Sequence, residues 1–200
     1  MSKMNAVCVY WGSNAGTGPI FSDAAGRFGK ILAENGVRLI YGGGSVGLMG
    51  VLADAVLAHG GKATGIIPEF LTRREQPRRL GQELIVTRDM HERKRTMFDR
   101  ADAFVALPGG IGTLEELVEQ LTWAQLGRHS KPILIANING YWDPLLTLVA
   151  HMRERGFVPD SLSVNFLVTE RVEDILPVLR HAARGRAEAE TPMAIPAERL

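Results

Sequence analysis

The sequence is poor in the residues that cross-link a protein or cage a metal. Cys8 is its only cysteine, which excludes an internal disulfide and any cysteine-built metal cluster. That cysteine sits in the apolar run Ala6-Val7-Cys8-Val9-Tyr10, so it reads as a packed core thiol and not as a nucleophile. Histidines are few, and neither paired histidines nor an acid cluster stands at metal-ligand spacing, so no metal site is expected. No apolar run approaches the ~20 residues of a membrane span, and Met1-Ser2-Lys3-Met4 leads into the first run without a signal-type stretch. Cytoplasmic location and no membrane partner are the expectation. The net charge is only +1, which excludes the broad basic surface of a nucleic-acid binder.

What is present is the composition of an ordinary globular protein, 46% hydrophobic and 22% charged over 200 residues. Short apolar runs at 6–10, 37–41, 63–67, 83–86, 103–107, 133–136 and 164–168 read as strands. Between most of them lie helical patterns with apolar spacings of three and four, at 20–34, 48–59, 90–100, 114–126 and 144–155. Strand–helix alternation with continuous Val/Ile/Leu/Ala strands implies an α/β chain with a mostly parallel sheet covered on both faces. Residues 68–82 hold Pro68, Pro77 and Gly81 with four arginines, and read as a long loop with one short helical turn. Residues 1–183 are expected to form one domain, and 184–200, where apolar periodicity fades, a flexible tail.

In parallel α/β sheets ligands bind beyond the carboxyl ends of the strands. Three glycine-rich turns fall at such ends: Gly12-Ser13-Asn14-Ala15-Gly16, Gly42-Gly43-Gly44-Ser45-Val46-Gly47 and Gly109-Gly110-Ile111-Gly112-Thr113. Glycine lets the backbone approach a ligand closely, and the helix that follows offers free N–H groups suited to phosphate. Three such turns on one sheet edge point to a phosphate or nucleotide site. Gly42, Gly44 and Gly47 match G-x-G-x-x-G, but after the second strand, and Glu69 lies just past a proline, so a nicotinamide cofactor is not expected.

Glu115 and Glu116 lie at the start of the helix that the third turn opens, where acids are favoured by the dipole alone. Adjacent positions point about 100° apart, so the two hardly serve one ligand. Glu116, four residues past Gly112, is the one that looks back over the turn. Upstream, Asp89 and Glu92 resemble a capping box, and Met90, Arg93, Lys94 and Met97 share one face of the helix that follows.

At these residues the sequence resembles a known family. Pro108, Gly109, Gly110, Gly112, Thr113 and Glu116 meet P-G-G-x-G-T-x-x-E. Met90, Arg93 and Lys94 meet M-x-x-R-K, and Tyr41 through Gly50 meet Y-G-G-G-x-x-G-L-M-G. Together they are similar to the Lonely Guy family, the cytokinin riboside 5′-monophosphate phosphoribohydrolases, over about Val7 to Val168. The resemblance implies a Rossmann-like three-layer fold, a homodimer and no cofactor. It also implies hydrolysis of the N-glycosidic bond of an N6-modified adenosine monophosphate, giving the free base and ribose 5-phosphate. Arg93 and Glu116 would be the catalytic pair. Gly109, Gly110, Gly112 and Thr113, with Ile111, Leu114 and Glu115 beside them, would line the phosphate, joined by Ser13 or Lys94. Gly43, Gly44 and Met90 would border the substrate, and Glu75 would be an acid contacting it. Two departures stand out: Trp11-Gly12-Ser13 replaces the family's C-G-S, and residues 71–80 are rich in arginine.

The residues support the chemistry independently. Breaking a nucleoside C1′–N bond builds positive charge on the ribose. A carboxylate such as Glu116 stabilises that charge, attacks C1′ or activates water. Arg93 is unsuited to donating a proton, because its pKa stays above ~12, so orientation of phosphate or ribose and of Glu116 is its expected task. An alternative is a nucleotide or molybdenum-cofactor carrier on the same scaffold. A lysine decarboxylase reading fares worse, since Lys3, Lys30, Lys62, Lys94 and Lys131 are the only lysines and none has the context of a pyridoxal site.

Overall fold

A computed structural model describes residues 4–75, 81–158 and 166–190, with side chains described except at 74–75 and 186–190. The strands are β1 (Ala6–Tyr10), β2 (Arg38–Tyr41), β3 (Ala63–Pro68), β4 (Glu83–Thr87), β5 (Ala103–Ala106), β6 (Ile133–Ala136) and β7 (Leu167–Thr169). The helices are α1 (Pro19–Glu34), α2 (Gly47–Ala58), α3 (Thr72–Glu75), α4 (Met90–Arg100), α5 (Ile111–Gln125), α6 (Asp143–Glu154) and α7 (Ile175–Glu190).

Among the described residues the seven strands are all parallel, in the order β4-β3-β2-β1-β5-β6-β7. The chain therefore builds outward from β1 to one edge, then crosses back to β5 and builds outward to the other. That reversal makes the carboxyl ends of β1 and β5 the switch point, where a crevice opens because neighbouring connections leave on opposite faces.

Alternation along β1 shows the three layers. Val7 and Val9 pack with Phe28 and Leu32 of α1, Leu52 and Val56 of α2, and Ile175 and Leu179 of α7. Cys8 and Tyr10 face the other way, onto Met97 of α4 and Leu117 and Leu121 of α5. Cys8 is fully buried, as its apolar run implies, and burial pushes its thiol pKa up.

Boundaries differ from the sequence reading in instructive places. Helix α5 begins at Ile111, three residues before its first core-facing leucine. Gly112 and Thr113 are therefore first-turn helical residues, supplying free N–H groups in place of a separate loop. A short 3-10 turn over Glu69–Leu71 and α3 occupy the start of the expected loop; residues 76–80 lie outside the described residues. The seventh strand is described over Leu167–Thr169, while 164–165 lie outside the described residues. Helix α7 continues through Glu190, taking in the first seven residues of the expected tail, and 191–200 lie outside the described residues. Among the described residues no helix is long and apolar enough to cross a membrane.

Candidate active site

The third glycine turn lies at the switch point. Leu107 N–H donates to the Tyr10 carbonyl (3.0 Å), extending the β1–β5 pairing, and Gly12 N–H donates to the Pro108 carbonyl (3.3 Å). The first and third turns are thus laced together, and Ser13 enters the same rim as Gly109 and Gly110. A side chain on Gly109 would collide with Thr113 and with the Gly12 backbone, so only glycine fits between them. Gly110 and Gly112 face open space. Gly110 is the N-cap of α5 and makes no side-chain cap, which leaves the helix start available to an anion. A cavity of about 230 Å³ adjoins this turn, bordered by Ser13, Phe21, Leu48, Gly109, Gly110 and Tyr141. Ile111 is 81% exposed, Thr113 is buried, and Leu114 packs toward the core, its N–H donating to the Gly110 carbonyl (3.0 Å).

Arg93 comes from α4, whose start is built as its capping signals suggest. The Asp89 side chain accepts from Glu92 N–H (2.8 Å). The Glu92 carboxylate in turn accepts from the Arg88 N–H (2.8 Å), one residue upstream of the usual reciprocal partner. From this helix Arg93 runs inward and is 8% exposed. Its Nε donates to the Ile66 carbonyl (3.2 Å) and its Nη1 to Met90 Sδ (3.7 Å). Its Nη2 lies 3.6 Å from Glu116 Oε1. That distance is an ion pair without a hydrogen bond, so the carboxylate keeps its accepting capacity for another group. Arg93 passes directly beneath Gly42, where any Cβ would occupy the place of Nη2.

The Glu116 side chain is 13% exposed. Burial pushes its pKa up to about 7; Arg93 opposes the rise, and Glu115 adds to it. Tyr10 and Cys8 form part of its surroundings, and the Tyr10 hydroxyl is held protonated by the same burial. Glu115 points elsewhere, as the helical offset requires: it pairs with Lys94, which also reaches Glu119 (3.4 Å). Lys94, which the sequence reading offered to the phosphate, is therefore held by two carboxylates of α5.

The structure thus brings together Ser13, Gly109, Gly110, Ile111, Gly112 and Thr113, with Arg93, Met90 and Glu116 behind them. Gly43 and Gly44 are buried next to Gly42, and Gly43 packs against β3 with φ +78°. The Glu75 side chain lies outside the described residues. Two contributors escaped the sequence reading: the Ile66 carbonyl, and Tyr141, whose hydroxyl donates to the Gly109 carbonyl (2.6 Å); Gly42, read there as part of the second glycine turn, is also the residue that makes room for Arg93. For Tyr141 a signal existed, since Asn139-Gly140 marks a turn right after a strand. A larger cavity, about 600 Å³, lies beyond β6 and β7, and includes neither Arg93 nor Glu116. Among the described residues no group of histidine, cysteine and acidic side chains could hold a metal ion.

Comparison with known proteins shows the family and the fold. A family described as "Possible lysine decarboxylase" matches residues 49–179. A rice protein named "Probable cytokinin riboside 5′-monophosphate phosphoribohydrolase" is 47% identical over 186 residues, which is 93% of this chain and 83% of that protein. A cytokinin riboside 5′-monophosphate phosphoribohydrolase of Arabidopsis thaliana is 47% identical over 158 residues, covering 78% and 72% of the two chains. Among solved structures, the molybdenum cofactor binding protein of Rippkaea orientalis superposes with a TM-score of 0.66 at 19% identity, over 90% of this chain and 98% of that one. The molybdenum cofactor carrier protein of Chlamydomonas reinhardtii gives 0.66 at 20%, over 91% and 99%. At such identity the two structures speak for the fold alone.

Proposed function

The chain belongs to the Lonely Guy family of cytokinin riboside 5′-monophosphate phosphoribohydrolases, and we propose that it hydrolyses the N-glycosidic bond of adenosine 5′-monophosphates carrying an N6 substituent. The observation that carries this reading is the buried Arg93–Glu116 pair (3.6 Å) set behind an uncapped glycine helix start. One part suits a doubly charged phosphate and the other a cationic ribose.

The phosphate is received by the N–H groups of Gly110, Ile111, Gly112 and Thr113 and by Ser13. Lys94, engaged by Glu115 and Glu119, is left out of that role. The C1′–N bond breaks with its electron pair moving to the base, which takes up a proton. Water delivers hydroxide to C1′, and ribose 5-phosphate is released. As positive charge grows on the ribose, the Glu116 carboxylate stabilises it electrostatically in a site with little water. Arg93 keeps Glu116 ionisable despite its burial and fixes its direction.

Decarboxylation of lysine finds no footing in the residues. A pyridoxal cofactor needs a free lysine in its pocket. Lys94 and Lys131 are engaged, the latter donating to the Phe98 carbonyl (2.6 Å); Lys30 pairs with Glu34; Lys62 precedes β3, at the far end of the sheet. Lys3 lies outside the described residues.

Pairing of two copies through α4 and α5 is part of the proposal, with half-buried Trp123 and the exposed Val118 and Leu126 as apolar contacts. A cytoplasmic setting suits a charged substrate that does not cross membranes unaided. The reading is tested by product analysis on AMP, N6-isopentenyl-AMP and the matching ribosides. Free base from the monophosphates alone supports it; retention of nucleotide without turnover makes the protein a carrier.

A further inference from the structure

Two consecutive carbonyls of the glycine turn are held from opposite sides. The Pro108 carbonyl accepts from Gly12 N–H, in the turn after β1. The Gly109 carbonyl accepts from the Tyr141 hydroxyl, in the connection after β6 (2.6 Å). In a trans peptide the C=O of one residue and the N–H of the next point in opposite directions. Holding the Gly109 carbonyl toward Tyr141 therefore fixes the direction of the Gly110 N–H. On the Gly110 side the peptide is open, since a side chain there would meet no atom within 4 Å, and glycine itself permits many orientations.

The connection that carries Tyr141 is built to stay in place. Trp142 N–H donates to Asn137 Oδ1 (2.7 Å), and Asn137 Nδ2 donates to Asp143 Oδ1 (2.7 Å). Asn139 adopts φ +54°, an uncommon conformation, in the turn just before Tyr141. The Tyr141 ring stands edge-on to Phe21 (5.8 Å) and to Trp142 (5.0 Å), which sets its direction.

We propose that Tyr141 is a positioning residue of the phosphate site: its hydroxyl, bonded to the Gly109 carbonyl, orients the Gly109–Gly110 peptide so that the Gly110 N–H meets the 5′-phosphate. It acts through the backbone and touches no reacting atom. The inference rests on the phosphate-site reading above. Lost orientation weakens phosphate contacts in ground state and transition state alike, so it raises KM and leaves kcat unchanged.

The test is Tyr141→Phe, which keeps both ring contacts and removes only the hydroxyl. Expected are a rise of about five-fold in KM for the monophosphate and in the Ki of ribose 5-phosphate, the size of one neutral hydrogen bond. The kcat stays within about two-fold and the melting temperature hardly moves. Tyr141→Leu, which also loses the ring, should show the same rise in KM together with lower thermal stability. Unchanged KM and Ki in Tyr141→Phe overturn the proposal, as does a fall confined to kcat. Calorimetric binding of ribose 5-phosphate to wild type and variant separates the two levels of inference. Weakened binding with no hydrolysis by the wild type sinks the proposed reaction and keeps Tyr141; equal binding by an active enzyme sinks Tyr141 alone.

Discussion

Replacing Glu116 with glutamine should make the protein more stable at alkaline pH while abolishing its activity. Folding moves the Glu116 carboxyl from its ordinary value of 4.5 to about 7, because burial disfavours the charge more than Arg93 restores it. Below pH 4.5 the group is protonated in both folded and unfolded chains and contributes no pH dependence. Between 4.5 and 7 the unfolded chain ionises first, so the folded chain holds more protons and stability falls as pH rises. Above about 7 the loss is complete. The 2.5-unit difference between those values corresponds to at most ~3.4 kcal/mol. Glutamine keeps the shape and does not titrate. The stability gap between Glu116→Gln and wild type should therefore widen by up to ~3 kcal/mol from pH 4 to pH 8, or about 6–12 °C in melting temperature for a chain of this size. Constant effects, such as a weaker contact to Arg93, cancel in that difference. Urea denaturation of both proteins across the pH range measures it, and turnover in the same samples should fall at least a hundredfold in the variant. A gap that stays flat with pH would refute the claim that Glu116 is held ionised at a cost.

The remaining expectations follow from the same geometry. Arg93→Lys should lose at least tenfold in kcat/KM, since an ammonium cannot reach the Ile66 carbonyl, Met90 Sδ and Glu116 together. In Arg93→Ala the acidic limb of the pH–rate profile should move to higher pH, because the charge that lowers the Glu116 pKa is gone. Gly42→Ala should cost both stability and activity by displacing Arg93, whereas Gly112→Ala, open on all sides, should fold normally and raise KM for the monophosphate; melting curves and KM values separate them. Lys94→Met should leave the kinetics within about threefold, because its partners are Glu115 and Glu119; a loss comparable to that of Arg93→Lys would place Lys94 back at the phosphate.

The parts of this molecule legible in its sequence are those governed by local rules. Continuous apolar runs locate β1, β3, β5 and β6, since strands buried on both faces have no polar side to show. Glu116 is separable from Glu115 by helical offset alone, and the structure sends them to different partners. What stays hidden depends on contacts between distant segments. The helical start at Ile111 is obscured because glycine carries no helix signal, though its N–H groups are what the site uses. Lys94 looks free in sequence because its partners lie 21 and 25 positions away, on another helix. Gly42 gains meaning only once Arg93 is seen beneath it, and Tyr141 only once the strand order places β6 beside β5.

The most direct test is to supply N6-isopentenyl-AMP to wild type and to Glu116→Gln and quantify ribose 5-phosphate and free base together. Stoichiometric release of both by the wild type, with none from the corresponding riboside and almost none by the variant, is the expected result. Release without dependence on the 5′-phosphate, or undiminished release by Glu116→Gln, would contradict it.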